Sequence, residues 1–181
     1  MKKIKVIALF GPAGAGKDFI QKAAAKRFGW HEVIPHTTRP PREGEQNGIA
    51  YHFTNIQNFT HMERQGKFLE RTMFNQWMYG TSIDSLSEDE INIGVFNIDG
   101  IKSLLADSRI DVTPIYLGVP DKVRLLRQLE REINPNCLEI CRRFLADDYD
   151  FRMTIDFEYE YLYNNEEIDN VLDTLSLIKI N

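Results

Sequence analysis

Three residues near the start of the chain have the types and spacing to hold phosphate. Gly11, Gly16 and Lys17 fall in "GPAGAGKD" (residues 11–18) as G-x-x-x-x-G-K. In that pattern the glycines let backbone N–H groups close around phosphate oxygens, and the lysine reaches the outermost phosphates. Pro12, Ala13, Gly14 and Ala15 complete the loop, and a helix opening at Lys17 would add the partial positive charge of its N-terminus. The next residue breaks the pattern. Asp18 stands where such a loop carries Ser or Thr, and its carboxylate adds negative charge close to the phosphates. Magnesium between the two would relieve the repulsion, because this hard cation takes carboxylate oxygens directly or through its waters. We expect Asp18 to be a metal-side ligand; capping the helix is the rival role.

A second anion site is suggested by "TTRPPR" (residues 37–42). Arg39 and Arg42 are three residues apart across two prolines, and a polyproline II segment turns once in three residues, so both guanidinium groups can point the same way. Paired planar forks suit a doubly charged monophosphate, and Tyr51 and Tyr79 can add hydroxyl donors. A solvated proline loop is the alternative. Glu70 in "FLE" and Asp99 in "NID" fall at the ends of strand-like runs and read either as solvent-facing or capping acids or as acceptors for a base. Ionised carboxylates only accept, and the Watson–Crick edge of guanine offers two adjacent N–H donors, so two acids at one base favour guanine over adenine. Thr81 can meet the 6-oxo group. Arg124, Arg127, Arg131, Arg142 and Arg143 flank "EINPNC", a break in helical pattern. They form either a solvated helix face or a lid whose cations neutralise a transferring phosphoryl group. His31, His36, His52 and His61 share no ligand spacing and read as structural or surface residues.

These residues need a scaffold, and the hydrophobic pattern supplies one. Lys3 to Phe10 is a β-branched apolar run ending at Gly11-Pro12, as a buried parallel strand would, and Lys17 to Phe28 has helical spacing. Runs at 91–98 and 112–119 each precede a helical segment, at 100–108 and 120–132. Strands alternating with helices imply a parallel sheet with right-handed crossovers. Between residues 36 and 90 the composition turns to Pro, Gly and charge, with a short helix near 57–65 and a strand-like "FLERTMF", which reads as an inserted lobe. "FEYEYLY" (157–163) alternates, setting Phe157, Tyr159, Tyr161 and Tyr163 on one face as a packing stripe. A last helix spans about 167–178.

The chain has 181 residues, 43% of them hydrophobic and 27% charged, which fits one globular domain. A formal charge of −5 gives no general pull toward nucleic acid or an anionic membrane. The two cysteines, Cys137 and Cys141, are spaced as neighbours on a helix face, and the apolar run near the N-terminus is too short for a signal peptide or a membrane span. A soluble, reduced, cytoplasmic protein is expected.

Taken together, "GPAGAGKD", "HTTRPPREGEQNGIAYHF", "GKFLE", "YGTS" and "NNEEID" resemble guanylate kinases in order and spacing, over nearly the whole chain. The resemblance implies a single α/β domain: a P-loop parallel-sheet core flanked by helices (about 1–35 and 91–181), a monophosphate-binding lobe (36–90) and a short lid (131–143). It implies an ATP-dependent, magnesium-assisted nucleoside monophosphate kinase acting on GMP or dGMP. By the same resemblance Arg39, Arg42, Tyr51 and Tyr79 hold the acceptor phosphate, Glu70, Thr81 and Asp99 contact guanine, Lys17 and the loop amides hold ATP, Arg131 and Arg143 are lid arginines, and Asn165 lies near adenine. Departures from the family pattern are Asp18, Pro35 in place of a Ser that touches guanine, a "NIDG" turn two residues short, and Gln128 at a position often held by Arg. Two other enzyme readings remain: a broader deoxynucleoside monophosphate kinase of phage type, and the ribose 1,5-bisphosphate phosphokinases, which share "GKD". The guanylate-kinase-like peptide-binding modules of scaffold proteins resemble the fold but tend to lose the phosphate loop that Gly11, Gly16 and Lys17 retain here.

Overall fold

The computed structural model describes residues 2–42, 44–74, 76–131, 133–165 and 167–180, with the side chains of Phe74 and Arg152 outside the description. Glu43, Glu132 and Glu166, which fall in the segments quoted above, lie outside the described residues. The core is a parallel sheet of five strands in the order β2-β7-β1-β8-β9, with β1 at Ile4–Phe10, β2 at His31–Glu32, β7 at Asn92–Val95, β8 at Ile110–Gly118 and β9 at Glu160–Tyr163. Its central strand, β1, pairs in parallel with β7 (Val6 opposite Asn92) and with β8 (Ile4 opposite Ile110). Strands thus close both of its edges, while helices pack on both of its faces, which is why the run is apolar without alternation. Ile7 and Leu9 enter a cluster with Ile20 and Ala24 of α1 (Lys17–Phe28) and Val171, Leu172 and Leu175 of α6 (Ile168–Leu177). Val6, Ala8 and Phe10 face the opposite cluster, against Ile101 and Leu104 of α3 (Ile98–Ala106).

A second sheet is built from residues 36–82 alone, in the order β4-β3-β6-β5: β3 at His36–Thr37, β4 at His52–Phe53, β5 at Phe68–Phe74 and β6 at Trp77–Ser82. Helix α2 (Ile56–Arg64), capped by Asn55 whose Oδ1 accepts the Asn58 N–H at 2.8 Å, seats the buried Phe59 on Phe68 with ring centroids 4.4 Å apart. The remaining helices, α4 (Asp121–Glu130) and α5 (Cys137–Met153), follow β8.

The structure differs from the sequence pattern in two informative places. The run at 91–98 yields a strand only to Val95, because the Asn97 side chain accepts the Gly100 N–H at 2.7 Å and starts α3 at Ile98. Asp99 thus sits in the first turn of a helix and not at a strand end. In "FEYEYLY" only Glu160–Tyr163 pairs, and the fully buried residue is Leu162, on the face opposite the aromatics. The aromatic stripe does pack: Tyr161 stacks on Tyr116 at 5.6 Å, and Phe157 and Tyr159 lie against Phe10 at 5.6 and 5.5 Å. Tyr159, Tyr161 and Tyr163 nevertheless stay half exposed, as side chains on the outermost strand would.

Candidate functional site

Parallel sheets gather their ligand-binding loops at the carboxyl ends of the strands. The segments after β1, β8 and β9 meet there, and they shape the phosphate loop from outside. The Gln128 side chain of α4 donates to the Ala13 carbonyl at 3.3 Å, Arg127 to the Gly14 carbonyl at 3.3 Å, and Asn164 to the Ala15 carbonyl at 2.6 Å. Side chains thus hold three successive carbonyls, and within the loop the Ala15 N–H donates to the Pro12 carbonyl at 3.2 Å; a glycine-rich turn fixed in this way is the kind of backbone that can present N–H groups to an anion. Gly14 and Gly16 adopt φ of 82° and 87°. A Cβ on Gly16 would stand 2.6 Å from the Asn164 amide nitrogen, so both backbone conformation and space require glycine there. Lys17 folds back over the loop, donating to the carbonyls of Gly11 at 2.7 Å and Pro12 at 3.0 Å. Burial lowers its ammonium pKa, and the carboxylates of Asp18 and Asp147 oppose that shift.

Asp18 is exposed in the first turn of α1 and makes no capping hydrogen bond. Its charge reaches both Lys17 and Tyr51 of the second sheet's lobe. Among the described residues no group of three or more His, Cys, Asp or Glu is arranged to hold a metal. A single acid facing a phosphate loop still fits magnesium, which keeps several waters and is held by one or two carboxylates together with substrate phosphates.

On the lobe, Arg39 presents one guanidinium nitrogen to both Glu45 oxygens at 2.9 Å, and that pairing raises the arginine pKa and lowers the carboxyl pKa. The same guanidinium lies over the Tyr51 ring at 5.4 Å, and Tyr51 meets Tyr79 at 5.9 Å. Arg39, Tyr51 and Tyr79 therefore lie together, with Arg42 exposed beside them and its backbone N–H on Glu45 at 2.7 Å. Glu70 accepts from the buried Thr81 hydroxyl at 2.7 Å, and burial pushes its carboxyl pKa up. A Cβ on Gly100 would meet Glu70 Oε2 at 3.4 Å, so the first turn of α3 borders the Glu70–Thr81 pair. Asp99, one residue away, is exposed.

Three expected residues, Asn165, Arg131 and Arg143, lie away from the phosphate loop, and neighbours of theirs touch it. Asn164, 6% exposed, is the asparagine against the loop, while Asn165 faces outward. Arg131 is exposed past the end of α4, and Arg143 lies on α5 with its Nε on Glu139 at 2.7 Å; the arginines beside the loop are Arg124 and Arg127. Sequence reasoning also missed Asp147, whose Oδ2 accepts the Ala13 N–H at 2.6 Å. A usable signal existed for α4: Arg124, Arg127 and Gln128 fall at i, i+3 and i+4, on one helix face directly after a core strand.

A family model described as guanylate kinase matches residues 3–179. The chain belongs to the guanylate kinase family. A guanylate kinase of Schizosaccharomyces pombe is 37% identical over 134 residues, which is 71% of this chain and 64% of that protein. One from Campylobacter jejuni is 30% identical across 97% of this chain and 87% of its own length. The crystal structure of guanylate kinase from Anaplasma phagocytophilum superposes with a TM-score of 0.67 at 16% identity, covering 97% of this chain and 84% of that one, a likeness of fold. As a member of this family the chain is a P-loop phosphotransferase of the nucleoside monophosphate kinase class. Among the described residues no helix is long and apolar enough to cross a membrane.

Proposed function

We propose that the protein transfers the terminal phosphoryl group of ATP to GMP or dGMP, releasing ADP and the nucleoside diphosphate. The observation that carries this reading is the pairing of two anion-binding sites. The phosphate loop lies at the carboxyl end of β1, and Arg39 with Tyr51 and Tyr79 lies on a lobe near enough for the Asp18 charge to act on Tyr51. An acceptor phosphate gripped by Arg39 and Arg42 has an oxygen free to attack in line, and Lys17 with the loop amides holds the donor tail. Asp18 is the residue suited to hold magnesium, which neutralises phosphate charge when it is bound with ATP. Glu70 and Thr81 serve as the acceptor and the hydroxyl for the guanine edge, with Asp99 on the first turn of α3 as its second acid. Arg131 and Arg143 would reach the site only on movement of the lid, and Asn165 would lie near adenine on the outer side. Positioning and charge neutralisation carry phosphoryl transfer, so no protein nucleophile is needed.

Pro35 favours a second reading. Its carbonyl is taken by the His52 N–H at 2.9 Å, and its ring offers the base no donor or acceptor, so discrimination among bases rests on Glu70, Thr81 and Asp99. That leaves room for a broader deoxynucleoside monophosphate kinase. The net charge of −5 and the free, exposed Cys137 and Cys141 suit a cytoplasmic protein with small nucleotide partners rather than nucleic acid or membrane. An ADP-release assay over GMP, dGMP, AMP, UMP, dTMP and ribose bisphosphate, with and without magnesium, tests the proposal. GMP and dGMP should lead; a ranking led by ribose bisphosphate or by a pyrimidine would overturn it.

A further inference from the structure

Asp147 lies on α5, outside every segment that carries the family resemblance, yet it touches the phosphate loop. Its Oδ2 accepts the Ala13 N–H at 2.6 Å, so a protein carboxylate occupies one of the amides that line the anion site. The same oxygen stands 3.8 Å from Nη1 of Arg124, beyond hydrogen-bond range. Arg124 is 3% exposed; its Nε donates to Asp121 at 2.9 Å, its guanidinium lies 3.6 Å over the Phe144 ring, and its Nη1 is buried without a hydrogen-bond partner. A buried donor on a charged group that lacks an acceptor is costly. The acid able to satisfy it is already engaged by the loop.

One oxygen thus stands between two donors. A phosphate oxygen arriving at the Ala13 N–H displaces Asp147, and the freed carboxylate needs to move only about 1 Å to reach the 2.7–2.9 Å separation of a charge-assisted hydrogen bond with Arg124. The exchange satisfies every group: the amide keeps an anionic acceptor and the buried guanidinium gains one. Arg124 is well placed for this because its own backbone abuts the loop, where a Cβ on Gly14 would run into the Arg124 carbonyl. Phe144, Asp147 and Phe151 form the docked face of α5, with Phe151 against Tyr116 at 5.6 Å, so a shift of Asp147 bears on the helix whose first turns lie in the lid segment.

Resting on the donor-site reading above, we propose that Asp147 is a positioning residue for the donor phosphate. It holds the Ala13 amide in the free protein and passes to Arg124 when the terminal phosphate of the donor takes its place. Giving up the 2.6 Å amide hydrogen bond costs more than the new contact with Arg124, already held through its Nε by Asp121, returns, so the exchange on balance opposes donor binding and selects for a ligand whose phosphate chain reaches Ala13. AMP, with a single phosphate, should leave Asp147 where it is.

The test is calorimetric titration of the full chain with magnesium-ATP and with AMP, for the wild type, Asp147→Asn, Asp147→Ala and Asp147→Glu, together with thermal melts of the free proteins. Expected are ATP binding about 5- to 20-fold tighter in the Asn and Ala variants, unchanged AMP binding, a lower melting temperature without ligand, and near wild-type behaviour for Glu. In turnover the KM for ATP should fall while the KM for the acceptor stays put. Variants that fold, by circular dichroism, but bind ATP as the wild type does or more weakly would overturn the proposal and leave the donor site standing. A wild type that binds no ATP would overturn the donor-site reading itself, and this proposal with it.

Discussion

Replacing Glu70 by Gln isolates the chemistry that should choose the base. Glu70 Oε1 is committed to the Thr81 hydroxyl at 2.7 Å, and Oε2 faces the first turn of α3, so one carboxylate oxygen remains to accept from a guanine N–H. The amide has nearly the same shape and can keep the Thr81 bond through its oxygen, which turns its NH2 toward a donor edge. Loss of a charge-assisted hydrogen bond with a donor facing a donor is worth about 3 kcal/mol, or roughly a hundredfold in kcat/KM for GMP. AMP, whose edge offers an acceptor beside its amine, should gain a few-fold. The fold should not suffer: burial raises the Glu70 pKa, so ionising it costs stability as pH rises through the folded value, and the neutral amide removes that cost. The pH arm has a definite sign. Wild-type affinity for GMP should fall on acidification at a pH above the ordinary glutamate value of 4.5, because protonated Glu70 no longer accepts freely, whereas the Gln variant should show no such step. Steady-state kinetics of both proteins with GMP and AMP between pH 5 and 8, with melting curves as controls, provide the measurement. A Gln variant within threefold of wild type on GMP would refute the assignment of Glu70 to the base.

Three further outcomes are expected. Asp18→Asn should raise the magnesium concentration needed for half-maximal activity about tenfold, in line with loss of one charged ligand; an unchanged magnesium titration would remove Asp18 from the metal site. His36, held down to about 4 by burial and by the adjacent His52 ring, resists protonation in the fold but not in the unfolded chain. Stability should therefore drop as pH falls from about 6.5 toward 4, by about 1–2 kcal/mol after allowance for the half-exposed ring, and urea unfolding at pH 7 and pH 5 should show a smaller difference in His36→Asn. Asn164→Ala should cost about 1–2 kcal/mol in denaturant unfolding by leaving the Ala15 carbonyl without its partner, and should weaken ATP binding with little effect on GMP.

The frame of the fold was legible because it depends on local rules. An apolar run covered on both faces, glycines at positive φ and a helix opening at Lys17 locate the phosphate loop within a residue or two. That Asn164 is the asparagine turned onto the loop required the parity of β9, which the conspicuous odd-numbered aromatics obscured. Leu162 is the residue buried against the core, so Asn164, two residues on, turns inward and Asn165 outward. Asp99 was misplaced because Asn97 caps a helix earlier than the apolar run implied. Asp147 was beyond reach for a different reason: an acid among other acids on a charged helix has no local signature, and its partner Ala13 is 134 residues away.

The two proposed phosphate sites share one electrostatic device. At the acceptor site Glu45 occupies Arg39, and at the donor loop Asp147 occupies the Ala13 amide. In each case the free protein avoids leaving a cation or an oriented donor without an acceptor in a partly dry cleft, which would cost stability. In each case a phosphate must outcompete a carboxylate already in place. A dianion with three oxygens can do so where a neutral group or a lone carboxylate cannot, because it brings more charge and can bridge several donors at once. Affinity is thereby traded for selectivity: binding free energy becomes a difference between two anions on the same donors, and both acids are displaced only when a phosphate-bearing donor and a phosphate-bearing acceptor occupy their sites together.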